Sequence, residues 1–72
     1  MRNIIVDGQK FKIPNKKIYA LKIKAIAYVE GSWTLYQERS GALPDFKMQD
    51  ADYPDLMYPL VFYTVPQGII SG

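Results

Sequence analysis

The 72-residue chain contains no cysteine and no histidine. Their absence excludes disulfides, thiol nucleophiles, Cys/His zinc sites and a Ser-His-Asp triad together. No apolar run approaches the roughly 20 residues a membrane span requires. The opening "MRNIIVDGQK" lacks the apolar core of a signal peptide. These absences give the expectation of a cytoplasmic, non-membrane, non-enzymatic chain with no catalytic residue and no metal of its own. The length allows one domain, near the lower limit for folding on a single unstapled core.

The net charge of +2 is unevenly spread. Residues 1–30 carry seven Lys/Arg against Asp7 and Glu30, whereas residues 31–72 carry two against five acids. The basic half invites comparison with a nucleic-acid footprint. It lacks the aromatic-interleaved basic strand on which bases stack. Lys10, Lys12, Lys16, Lys17, Lys22 and Lys24 are therefore expected to be solvated faces of a hairpin and a helix, with no nucleic-acid partner.

"RNIIVDGQKFKI" is two apolar runs joined by Asp7-Gly8, the dipeptide that supplies positive φ to a type I′ turn, and predicts a β-hairpin. Phe11 and Ile13 alternate with Lys10 and Lys12, one face buried and one wet. "PNKKIYALKIKAIAYVEG" supports a helix, with Asn15 as its N-cap and an end near Ala27 or Tyr28. Tyr19, Ile23, Ile26 and Ala27 form one arc, and Ile18, Leu21, Ala25 and Val29 a second. The same letters alternate as in a strand over Leu21 to Ala25; length and helix propensity favour the helix.

"SWTLYQERSG" is β-branched and aromatic and reads as a strand. "ALPDFKMQDADYPDL" reads as a loop with room for one short turn or strand. Its "DADYPD" lacks the glycine-centred spacing of a calcium loop and is expected to be a solvated turn. "MYPLVFYTVP" is apolar on both faces, with Leu60, Phe62 and Thr64 opposite Val61, Tyr63 and Val65, and predicts an interior strand over 57–65. Pro66 has no N–H and ends its ladder. Two N-terminal strands, one helix and a late central strand parallel to the first make an α+β, mixed four- to five-stranded sheet with the helix on one face, a β-grasp arrangement. Residues 1–66 are read as that domain and 67–72 as a flexible tail. Of the aromatics, Trp33, Tyr36, Tyr58 and Tyr63 cannot all be core in so small a domain. They are either buried with wet polar tips or part of a docking sheet face.

"VDGQKFKIP", a helix after "NKKI", and "DLMYPLVFYTVPQGIISG" together resemble the bacterial ubiquitin-like proteins of the multiubiquitin type, over essentially the whole chain. The strand "VFYTVP" with its tail is the most specific part of the likeness. The resemblance implies a protein modifier. Its C-terminal carboxylate would be adenylated with ATP by a ubiquitin-activating-type enzyme, passed to a conjugating-type enzyme and joined to target proteins. A JAB-type metallopeptidase would process or reverse the link. Carried over by position, Gly72 is the conjugated residue, and Gln67, Gly68, Ile69, Ile70 and Ser71 are the segment the enzymes recognise. The chain has an uncharged tail ending Ser71-Gly72 where ubiquitin has an arginine-bearing one ending Gly-Gly. Two alternatives stay open: a sulfur carrier with a terminal thiocarboxylate, against which Ser71-Gly72 weighs, and a non-covalent β-grasp adaptor.

Overall fold

The computed structural model describes residues 1–41 and 43–67. The elements run β1 (Arg2–Val6), β2 (Gln9–Ile13), α1 (Ala20–Ile26), β3 (Thr34–Gln37), β4 (Phe46–Met48) and β5 (Val61–Val65). They form one mixed five-stranded sheet in the order β2-β1-β5-β3-β4. The last strand lies at the centre, parallel to β1 and antiparallel to β3. With the one helix among the described residues this is the α+β, β-grasp arrangement expected from the sequence.

The hairpin forms for the reason its sequence states. Asp7 and Gly8 both take positive φ, 51° and 82°, the type I′ geometry whose twist matches the flanking strands. Residues Arg2 to Val6 then pair in register with Ile13 back to Gln9. Asp7 also reaches across to β5, where its carboxylate accepts the Thr64 N–H at 2.9 Å and the Thr64 hydroxyl. The turn residue thereby fixes the central strand as well as the hairpin.

The core lies between the sheet and α1. Ile4 and Val6 of β1, Ile13 of β2, Leu35 of β3, Met48 of β4 and Phe62 of β5 all point to that side and are buried. Ile18, Ala20 and Ile23 meet them from the helical segment. Each large aliphatic or aromatic side chain removed from water here contributes about 1.5–3 kcal/mol, so the sheet is held mainly by this one layer. Gln37 sits in the same row, fully buried. Its Nε2 donates to the carbonyls of Asp55 and Pro59, and its Oε1 accepts the Asp55 N–H at 2.7 Å. A buried amide with donors and acceptor all engaged costs little and fixes the approach to β5.

Three expectations need correction. The helix is shorter than its pattern suggests, and Asn15 is not its N-cap; that position belongs to Tyr19, whose side chain makes no capping bond. The first helical N–H groups are instead met by main chain from another part of the molecule: Ala20 donates to the Asp52 carbonyl and Leu21 to that of Asp50. A tertiary contact thus does what a local cap normally does. The last strand begins at Val61 rather than residue 57, because Pro59 can donate no ladder bond and residues 56–60 turn instead. Its far-side residues Val61 and Tyr63 are apolar although no element among the described residues covers that face.

The third correction concerns charge. Lys24 is not solvated but 3% exposed, inside the helix face that packs on the core. Its ammonium donates to the carbonyls of Gly31 and Trp33, both at 2.8 Å, and pairs with Asp50 Oδ1 at 2.8 Å. All three of its donors are used. The "DADYPD" segment is the largely exposed turn expected there, and its aspartates also bond: Asp50 holds Lys24, Asp52 accepts the Gln49 N–H at 2.7 Å, and Asp55 accepts the Met57 N–H at 3.0 Å. The helix end itself follows the sequence. Ala27 is the C-cap, and Tyr28 at φ 60° and Val29 close a Schellman motif onto Ala25 and Lys24.

Candidate functional site

The face of the sheet opposite the helix is built by alternation. Because Ile4, Val6, Phe62, Leu35 and Gln37 turn inward, their neighbours Ile5, Val61, Tyr63, Val65, Thr34 and Tyr36 turn outward. Register places these in rows: Ile5 opposite Val61, Tyr36 opposite Tyr63, and Thr34 opposite Val65. The result is an apolar and aromatic stripe across β1, β5 and β3. Lys10 and Lys12 flank it on the β2 side, by their pairing with Ile5 and Asn3, and Lys47 flanks it on the β4 side, by its pairing with Tyr36. Most of its members are half-buried, and Val65 is exposed. The face is thus apolar at its centre and rimmed by charge.

The Tyr36 and Tyr63 rings stack with centroids 5.2 Å apart and planes 1° from parallel. The Tyr63 hydroxyl donates to Asp45 Oδ2 at 2.8 Å. That bond, with a smaller contribution from burial, pushes the Tyr63 phenol up to about 12. Asp45 also accepts the Arg39 N–H at 3.0 Å, and this bond, followed by that from Tyr63, holds its carboxyl below the usual range. Arg39 in turn donates to the Pro44 carbonyl and lies over the Phe46 ring. The segment between β3 and β4 is thus tied to the open face through one phenol. None of Trp33, Tyr36, Tyr58 and Tyr63 belongs to the buried core. All four are half-buried, and of them Tyr36 and Tyr63 stack on the outward face of the sheet.

At the end of β5, Thr64 is pinned by Asp7, Val65 pairs with Thr34, and the chain leaves through half-buried Pro66 to exposed Gln67. Gln67 is the one residue of the expected recognition segment that the structure places, clear of the body of the sheet. Gly68, Ile69, Ile70, Ser71 and Gly72 lie outside the described residues. Among the described residues no group of three or more acidic side chains is placed to hold a metal ion. No helix among them is long and apolar enough to cross a membrane. The residues sequence reasoning missed are Lys24, Gln37 and Asp45. Each is a polar group with at least one partner 18 or more residues away, which no local pattern encodes. Comparison with known proteins gives no matching family model, no matching curated protein and no matching solved structure.

Proposed function

We propose that this chain is a ubiquitin-like protein modifier, activated at the Gly72 carboxylate and transferred by activating- and conjugating-type enzymes to target proteins. The observation that carries the reading is the connectivity: a central last strand parallel to the first, delivering the chain to an exposed Gln67 beside an open apolar sheet face. That arrangement supports a division of labour. The Tyr36–Tyr63 stripe would dock the enzymes, and residues 67–72 would pass into their active sites. The sequence likeness over "VFYTVPQGIISG" supports the same assignment. A terminal residue without Cβ leaves its carbonyl open to attack, and a modifier needs no nucleophile of its own. ATP is consumed by the activating partner, and a JAB-type metallopeptidase would remove the modifier. The setting in which such partners meet it is the cytoplasm.

The test is to incubate the protein and a Gly72-deleted form with ATP and the cognate enzymes, then resolve adducts by intact mass and by gel with and without reductant. The full chain is expected to form a reductant-sensitive thioester and then a stable adduct. The deleted form is expected to form neither while melting at the same temperature, because terminal residues beyond the last strand bury little. Equal adducts from both would remove Gly72 from the mechanism. Replacement of one oxygen by sulfur in the mass, without adducts, would identify a sulfur carrier. No change in either protein would leave the open face acting alone, as a non-covalent adaptor.

A further inference from the structure

A cavity of about 280 Å³ opens on the helix side, at the end of the sheet where β1 and β5 begin. Its floor is the apolar core itself: Ile4, Ile13, Ile18, Ile23 and Phe62. Its mouth is different in kind. Tyr53 and Leu56, both largely exposed, form one lip, and Arg2 and Lys17 supply positive charge. One acid, Asp55, also lines it, but its two oxygens are turned to other groups, Oδ1 to the Met57 N–H and Oδ2 to Arg39. Neither Arg2 nor Lys17 pairs with a carboxylate among the described residues. Lys17 lies over the Tyr53 ring, 5.5 Å from its centre. Arg2 donates through one Nη to the Lys16 carbonyl, while its Nε is buried with no partner among the described residues.

An apolar pocket with a few convergent polar groups at its mouth is the usual form of a small-molecule site. With its buried Nε unpartnered among the described residues, Arg2 is poorly satisfied where it rests, since burying a donor without a hydrogen bond is unfavourable. Turning toward a carboxylate would let the guanidinium fork engage through two N–H groups at once. We propose that this cavity binds a small apolar monocarboxylate, its hydrocarbon body on the isoleucine floor and its carboxylate held by Arg2 and Lys17. A cavity of about 150 Å³ accommodates benzene, so this one has room for a body of about ten carbons, aliphatic or aryl-aliphatic. The site is on the opposite side of the sheet from the docking stripe and away from the exit of β5, so it stands independently of the conjugation reading.

The test is a methyl-resolved NMR titration of the full chain with phenylbutanoate and, in parallel, with phenylbutanol. Saturable shifts are expected at the Ile13, Ile18 and Ile23 methyls, with the acid binding at least about tenfold more tightly than the alcohol, the scale of a charge-assisted hydrogen-bonded contact. Lys17→Gln, at an exposed position, should weaken the acid and leave the alcohol unchanged. Arg2→Gln with Lys17→Gln should erase the difference between the two, with folding checked by the unperturbed methyl of Leu35. Absence of methyl shifts up to the solubility limit of the acid would overturn the proposal, and equal affinity for acid and alcohol would overturn the carboxylate assignment. Shifts produced by an acidic peptide bearing one phenylalanine, but by neither small molecule, would make the occupant a protein segment and likewise overturn it.

Discussion

Replacing Lys24 by methionine separates the structural lysine from its solvated neighbours. Methionine keeps most of the aliphatic stem and removes the ammonium, which holds the Gly31 and Trp33 carbonyls and Asp50, each at 2.8 Å. A hydrogen bond to a charged group contributes about 1.5–3 kcal/mol. Breaking a buried ion pair costs about 3–5 kcal/mol when the survivor stays buried. Here the Asp50 side chain is 56% exposed and can return to water, so that upper range does not apply. The two carbonyls dominate, and Gly31 is exposed enough to recover part of its hydration. The expected loss is about 3 kcal/mol. For a domain of this size each kcal/mol moves the midpoint by about 4–8 °C, so Lys24→Met should melt roughly 12–24 °C lower. The indirect effect acts in the same direction, because Asp50 and Asp52 also supply the carbonyls that cap the start of α1. Lys22→Met, two residues away and exposed, should change stability by no more than about 0.5 kcal/mol. Asp50→Asn should fall between them, at about 1 kcal/mol, as a half-exposed partner. Thermal and urea unfolding followed by circular dichroism measures all three. Equal melting of the Lys24 and Lys22 variants would refute the reasoning and return Lys24 to the solvent.

Phe62→Ala should cost about 3–5 kcal/mol, since Phe62 is 1% exposed at the centre of the core, and urea unfolding would show it as a lost or barely folded baseline. Tyr28→Gly should raise stability by roughly 1 kcal/mol, because Tyr28 is 91% exposed and held at φ 60° in a position that favours glycine; unchanged or lower melting would mean that the ring contributes in a way its exposure does not indicate. Tyr63 should be among the last tyrosines to ionise in an ultraviolet titration. Its folded value is above the unfolded one, so its stabilisation is complete below about pH 10 and is lost as pH rises from there through about 12. Tyr63→Phe should remove that alkaline loss. Asp45 has the opposite sign: its folded value is depressed, so its contribution is present above the ordinary carboxylate range and disappears as pH falls below it. Asp45→Asn should flatten the acid side of the stability profile.

Local chemistry determined much of this protein from sequence alone. Asp7-Gly8 specifies its turn because only a few residues tolerate two successive positive φ values, and the alternation beside it specifies which side of β1 and β2 faces the core. Val61 to Val65 could be placed in the sheet interior because a strand apolar on both sides has neighbours on both edges. The absence of Cys and His removed whole classes of chemistry without reference to any fold. Tertiary structure decided what depends on groups far apart in the chain. The helix starts at Ala20 rather than beside Asn15 because its cap comes from carbonyls about 30 residues later, which no local pattern encodes. Lys24 is a buried staple rather than a wet one because Gly31, Trp33 and Asp50 converge on its ammonium. The outward apolar residues of β5 looked like core because hydrophobicity reports a preference for burial and not what supplies it. Among the described residues, only the placement of the one helix on the other face leaves Tyr36 and Tyr63 stacked at an uncovered surface.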